Sequence, residues 1–301
     1  MNGSHSSDRN GITEDQFLQN YDASQFERPS ATVDTLIFTV MSKEQSNYRK
    51  LSDKKLQLLL IKRAEHPFLG QWALPGGFVT MNEALDDAAH RVLKKEAGIE
   101  GIYMEQLYTW GEVERDPRTR VISCSYMALA DRTQFAVQAG EDEAEAGWFE
   151  VDFETLRTEQ TREEECQKTT QWVKLTLTRD EAVLHAVIKV TLSANGRLTS
   201  IDRQIAEVSG LAFDHAKIIE YAIERLRGKI EYTSIAFQLM PPLFTLSELQ
   251  QVYEIVLGRE LLPAAFRRKM AGMVIETEEY TKDAGHRPSR LFRFNTDWLG
   301  K

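Results

Sequence analysis

The spacing of apolar residues changes several times along the chain, and each change marks an element. Up to Arg28 the residues are polar and aperiodic, which predicts a flexible lead-in over residues 1–30 with a short helix around Glu14–Gln19. Two runs, VDTLIFTV from Val33 and KLQLLLIKR from Lys55, are dense in β-branched and aliphatic residues. A polar stretch at 42–53 separates them, so they predict two strands joined by a loop. After WALPGGFV, apolar positions recur at helical spacing (Ala84, Leu85, Ala88, Ala89, Val92, Leu93) and predict a helix from Asn82 to Ala97, stopped by Gly98. Strand-like runs at 107–113, 121–128 and 147–151 complete an α+β domain ending near Leu156. The charged stretch 155–170 is expected to be a loop or an exposed helix. Alternation resumes at 172–178 and 184–192, a β-hairpin around Arg179, Asp180 and Glu181, and Asn195-Gly196 supplies a further turn. A helix from Asp214 to Arg227 follows, with Ile218, Ile219, Ala222, Ile223 and Leu226 on one face and Gly228 beyond its end. It reads as a connector between domains or as part of the C-terminal core.

The C-terminal pattern is helix, turn, helix, hairpin. Thr245-Leu246-Ser247-Glu248 has the form of a capping box, in which the first and last side chains satisfy each other's backbone N–H groups. It opens an apolar-periodic helix (Leu246, Leu249, Val252, Tyr253, Val256) closed by Gly258. After a connection at 259–262, Pro263 suits the first turn of a second helix, with Phe266, Met270, Met273 and Val274 on its inner face. That order is the helix-turn-helix layout. Runs at 274–280 and 290–294 flank the loop TKDAGHRPS, a candidate wing. Arg267, Arg268 and Lys269 cluster in the N-terminal half of the second helix, where recognition helices contact DNA. With Thr245 and the wing residues His286, Arg287 and Arg290 they form the expected DNA-binding set. A winged helix that binds protein instead is the competing reading.

The length of 301 residues fits two domains. We expect a ligand domain over 31–205, a connector over 206–230 and a winged helix over 231–301. No apolar run approaches the roughly 18 residues that span a bilayer, and Met1–Asn10 lacks a basic-then-apolar leader, so a soluble cytoplasmic protein with no membrane partner is expected. Cys124 and Cys166 are not spaced as a metal knuckle and are given no role. The net charge of −9 speaks against a polyanion partner until it is divided by region. Between Leu257 and Lys301 nine Lys/Arg face six Asp/Glu, a local charge of +3, which leaves −12 on the remainder. Only the C-terminal end is suited to approach DNA.

Gly77, Glu83, Arg91, Leu93, Glu96, Gly98 and Ile99, behind LPGG, resemble the Nudix signature. Nudix hydrolases cleave a diphosphate linked to another group, using carboxylates of one helical turn to hold divalent metals that polarise phosphoryl oxygens and activate water. The resemblance places three metal-binding glutamates at positions that here are Val92, Lys95 and Glu96. An apolar group and an ammonium are poor company for Mg²⁺, so no catalytic residue and no metal site are assigned, and hydrolysis is expected to be weak or absent. The lesser alternative is that Gly77, Glu83 and Arg91 persist only because they hold loop and helix together, with no ligand bound. For nucleotide binding we expect Phe68 and Trp72 as aromatic surface and the backbone at Gly76 and Gly77 close to phosphate. Arg115, Arg118 and Arg120 sit in a turn-like loop suited to diphosphate or ribose hydroxyls, or to plain solvation. His66 and His90 are read as structural.

Taken together, the two constellations resemble the Nudix-related transcriptional regulators of NAD metabolism over roughly Ala31–Phe294. The most specific stretches are PFLGQWALPGGFV, RDPRTRVIS, FTLSELQQVYEIVLG, FRRK and GHRPSRLFRF. The resemblance implies a Nudix fold, an α/β/α sandwich with a mixed sheet, followed by a winged helix-turn-helix domain. It also implies a homodimer that binds a palindromic double-stranded operator, represses NAD-related genes, needs no cofactor and takes ADP-ribose as the effector that weakens DNA binding. Two alternatives stand beside it. One is an active ADP-ribose or nucleotide-sugar pyrophosphatase with an appended interaction module, and the other a nucleotide-binding scaffold that never touches DNA.

Overall fold

The structure is a computed structural model and describes residues 9, 12–42, 54–98, 100–131, 143–163, 166–281 and 288–298. Helix α1 (Glu14–Asn20) lies under a Thr13 capping box and buries none of its residues. The body is a mixed sheet built from β1 (Ser30–Ser42), β2 (Lys54–Arg63), β3 (Trp72–Ala73), β4 (Gly76–Phe78), β5 (Tyr103–Trp110), β6 (Val121–Leu129), β7 (Glu143–Glu163), β8 (Cys166–Arg179), β9 (Ala182–Asn195) and β10 (Leu198–Ser209). Its order is β10-β9-β8-β7-β2-β1-β6-β5, with β3 beside β2 and β4 beside β1. β1 runs parallel to β6 and antiparallel to β2.

Both faces of the central strands are covered, which is why β1 and β2 read as largely apolar runs rather than alternating ones. On one face Ile37, Leu59 and Ala128 meet Leu93 of α2 (Leu85–Ala97). On the other, Leu36, Phe38, Leu58 and Leu60 share a cluster with Ile218, Ile219, Ala222 and Leu226 of α3 (His215–Ile230). The same cluster runs on into the C-terminal unit, made of α4 (Leu246–Leu257), α5 (Pro263–Met270) and the hairpin β11 (Val274–Tyr280) and β12 (Arg290–Phe294). Leu249, Val252 and Val256 of α4 belong to it, as do Phe266 and Met270 of α5. Helix α3 therefore serves both units: it connects them and is core to each. Arg227 near its end donates from Nε to the carbonyl of Val256 at 3.0 Å, and its guanidinium lies 4.6 Å from the Phe153 ring centre.

The structure differs from the sequence reading at several points. The stretch 155–170 is neither loop nor helix: β7 continues to Glu163 and pairs with β8 as far as Glu163↔Cys166. This end of the hairpin is mostly exposed, so no apolar face announces it, and its threonines and the stacking of Arg157 over Trp172 at 3.7 Å support the strands instead. β10 carries no strand signal for the same reason, being exposed along most of its length, and it runs to Ser209, past the expected edge at 205. Gly228 does not end α3, which continues to Ile230. Helix α5 stops at Met270, where a turn closes from Met273 N–H to the Met270 carbonyl, so Met273 and Val274 are not on its inner face. No helix among the described residues is long and apolar enough to cross a membrane.

Candidate functional site

A cleft of about 210 Å³ opens along β4, between the sheet and the start of α3. β4 lies antiparallel to β1, pairing Gly76 with Asp34 and Gly77 with Val33. A Cβ at Gly76 would fall 2.6 Å from Asp34 Oδ1 and 2.7 Å from the Val33 carbonyl, so only glycine fits there. Gly77 is less tight, its Cβ position lying 3.6 Å from Val92 Cγ2. Of the expected ligand residues, Gly76, Gly77, Arg115 and Arg118 line this cleft. Phe68 lines an adjoining outer cavity of about 440 Å³, with its ring centre 4.6 Å from that of Phe213.

Two expectations fail geometrically. Trp72 is buried in the core, edge-on to Phe149 at 4.7 Å, because its side of β3 faces the α3 layer. Arg120 turns to the Gly111 and Glu112 carbonyls at 2.7 and 2.8 Å and thus closes its own loop.

Five residues that sequence reasoning passed over complete the site: Asp34, Arg63, Phe213, Asp214 and His215. Arg115 is held in a buried network. Its Nε and Nη2 donate to the two carboxylate oxygens of Asp214 at 3.0 and 2.8 Å, and Nη2 also reaches Asp34 at 3.4 Å. Burial opposes the charge of Arg115, yet these carboxylates outweigh it and raise its pKa. Ser123 Oγ donates to Asp34 at 2.6 Å. His215 Nδ1 accepts the Leu74 N–H at 2.9 Å, which leaves the neutral ring's proton on Nε2, 3.7 Å from Asp34. Burial lowers the His215 pKa, against the pull of Asp34 and Asp214. Arg118 is gripped by Asp116 at 3.0 and 2.8 Å and lies over the Phe78 ring at 5.4 Å. Burial, then the charge of Arg118, lowers the pKa of Arg63 across the cleft. Three guanidinium groups around one small volume suit a diphosphate.

The Nudix-box residues hold the loop. Arg91 donates to both Glu83 oxygens at 2.9 and 2.6 Å and to the Phe78 carbonyl at 3.0 Å, and the Thr80 N–H meets Glu83 at 2.8 Å. Those bonds to Arg91 and Thr80 bring the Glu83 pKa down to about 2. Gly98 ends α2 in the left-handed region, at φ 64°. His66 and His90 do not line the cleft; His90 Nδ1 lies 2.7 Å from the Asp86 carbonyl.

In the C-terminal unit, Thr245 caps α4 in a complete capping box with Glu248, so its hydroxyl is committed to the fold. Arg267, Arg268 and Lys269 are exposed, but they occupy the last turn of α5 rather than its N-terminal half, because the helix is only eight residues long. Lys269 leans back over the Tyr253 ring at 5.5 Å. Arg290 is engaged within the hairpin by Glu276 and by Tyr280 Oη. His286 and Arg287 lie outside the described residues.

Comparison with known proteins bears on both halves. Residues 50–174 match the NUDIX domain, and residues 236–294 match the NrtR DNA-binding winged helix domain. The chain is 34% identical over 289 residues, 95% of its length and 90% of the relative's, to the ADPR responsive transcriptional repressor NtrR of Acinetobacter baylyi. The chain belongs to the NrtR family of Nudix-related transcriptional regulators. Crystal structures agree with the arrangement. A MutT/nudix family protein of Enterococcus faecalis superposes with a TM-score of 0.65 at 26% identity, covering 94% of each chain. Shewanella oneidensis NrtR in complex with a 27mer DNA does so with 0.56 at 25% identity, covering 88% of this chain and 93% of that one. Within this NrtR-type chain, the positions of the Nudix metal carboxylates do not fit a metal. Val92 is 1% exposed and packed among Val33, Ala88, Ala89, Cys124 and Tyr126, and the Lys95 ammonium sits 3.7 Å from Glu96.

Proposed function

We propose that this chain is an ADP-ribose-responsive repressor of NAD metabolism genes, in which the Nudix cleft senses the effector without hydrolysing it. The observation that carries the reading is the position of α3: its leading residues form a wall of the cleft and its body packs against α4 of the winged helix. Ligand in the cleft therefore meets the element on which the DNA-binding unit is mounted. Arg63, Arg115 and Arg118 face the diphosphate, the Gly76 and Gly77 backbone allows its close approach, and Phe68 and Phe213 offer aromatic surface to the rest of the nucleotide. The protein acts as a homodimer on a palindromic operator, with Arg267 and Arg268 of α5 presented to the major groove. The Acinetobacter relative's name states the same response to ADPR for that protein. The buried Val92 and the Lys95 ammonium favour sensing over the pyrophosphatase alternative.

Operator retardation at fixed salt, with and without saturating ADP-ribose, tests the reading. ADP-ribose is expected to weaken operator binding by a factor in the range of about 5–150, the usual span of allosteric couplings. Identical isotherms would refute it, as would steady Mg²⁺-dependent release of AMP that Glu96→Gln abolishes.

A further inference from the structure

We infer that the Arg115–Asp214 ion pair is the contact an anionic ligand displaces: a diphosphate in the cleft draws the Arg115 guanidinium off Asp214 and so unties the first turn of α3. The inference rests on the repressor reading above and names how occupancy of its cleft is read.

Among the described residues, three side-chain ties hold the first turn of α3 to the ligand domain. Asp214 takes two hydrogen bonds from Arg115, His215 Nδ1 accepts the Leu74 N–H at 2.9 Å, and Lys217 Nζ meets Glu112 at 2.6 and 2.8 Å. The first presents its cation to the cleft lined by Gly76 and Gly77, where the diphosphate is assigned, while the Lys217–Glu112 pair lines the adjoining cavity beside Phe68, so it is the Arg115 tie that competes for the diphosphate charge. Asp214 occupies the N-cap position of α3, yet its carboxylate makes no capping bond and is used on Arg115. Once Arg115 turns to a phosphate, the Asp214 carboxylate, 7% exposed, is left buried near Asp34 without its cation. Buried carboxylates stripped of a cation are strongly unfavourable, and the simplest relief is movement of the helix start.

The preceding residue is built to give way. Phe213 sits at φ 53°, in the left-handed region that a bulky side chain rarely adopts. Its ring is held between Phe68 at 4.6 Å and His215 at 5.3 Å. Packing maintains that conformation at the joint between β10 and α3, and a ligand entering beside Phe213 disturbs the same packing. Movement at this end reaches the winged helix because α3 also holds α4, through the Arg227–Val256 bond and the shared apolar cluster.

Asp214→Asn tests the step, since it keeps the shape and removes the competing charge. In this variant ADP-ribose should bind more tightly than to the parent, and ligand-free operator affinity should fall toward the ligand-saturated value of the parent. The effect of ADP-ribose on operator binding should shrink by at least about 5-fold. A responsive parent with an Asp214→Asn variant matching it in both affinities overturns the inference and leaves the repressor reading standing. A parent that binds no ADP-ribose, or whose operator binding ignores it, overturns the reading and this inference with it. If Asp214→Asn melts abnormally by circular dichroism, Arg115→Lys asks the same question with the buried charge kept. Its weaker, single-point tie should lower ligand-free operator affinity and give a reduced ligand effect, and parent-like behaviour there overturns the inference equally.

Discussion

Arg268→Ala is the sharpest perturbation of the DNA-binding face. Phe266 and Met270 are the buried residues of α5 and lie one turn apart, so they define its inner side. At about 100° per residue, Arg268 stands roughly 200° round from Phe266, directly outward, while Arg267 and Lys269 flank it. Lys269 is drawn back over Tyr253, so in the proposed docking of α5 Arg268 is the side chain that would meet a base edge. A bidentate arginine–guanine contact discriminates by about 1–3 kcal/mol, a factor of roughly 5–150 in affinity. The assay is fluorescence anisotropy on an operator duplex and a scrambled duplex across a salt series. Arg268→Ala should weaken the operator by that factor, weaken the scrambled duplex far less, and so relax preference. Arg267→Ala, read as a phosphate contact, should weaken both duplexes and reduce the salt slope by about 0.9. An Arg268→Ala variant that keeps operator affinity and preference at every salt concentration would refute the docking of α5 in the major groove.

Much of the architecture was legible because burial on two faces, one face or one helical stripe each leaves its own period. The caps of α4 and the start of α5 emerged at the expected residues because Thr245, Gly258 and Pro263 act through local backbone chemistry, and β11 and β12 also fall where their runs predicted. The exposed ends of β7 and β8 and the whole of β10 were hidden for the converse reason: without a buried face there is no period to read. In the site, Gly76, Gly77, Arg115 and Arg118 could be picked out from the loops around the Nudix box. Phe213, Asp214 and His215 could not, since their place on the cleft wall depends on how α3 packs back across the sheet after more than a hundred residues. Asp34 did leave a trace, the one acid in a mostly apolar strand that is buried on both sides. The role of Arg115 was half visible: its charge suggested a ligand, but its buried partners are a tertiary fact.

Val92→Glu should cost at least about 2 kcal/mol, from the lost burial of valine and the entry of a carboxyl group into an apolar cluster. Denaturant midpoints check this, and an unchanged midpoint would mean that α2 is not packed on β1 as described. Glu83, with a pKa near 2 against an ordinary value of 4.5, contributes stability that is complete above the ordinary value and is lost as pH falls through that window. Glu83→Gln should therefore flatten the acid limb of a pH–melting curve, and a limb as steep as the parent's would assign it to other groups. His215 acts in a separate window. Its Nδ1 must stay unprotonated to accept the Leu74 N–H, and burial holds its pKa below the ordinary 6.5. The unfolded chain takes up the proton first as pH falls below 6.5, so the folded state loses stability from there down to the lowered folded value. Above about pH 7.5, one unit clear of the ordinary value, the contribution is flat. His215→Gln offers the Leu74 N–H an acceptor that does not titrate, so its melting temperature should fall less than the parent's between about pH 7 and pH 5.5. The same loosening should reach operator binding, because the side chain that protonates stands in the first turn of α3. A His215→Gln protein whose melting curve and operator affinity follow the parent's pH dependence through that window would place the titration elsewhere and remove His215 from the fixed end of the helix.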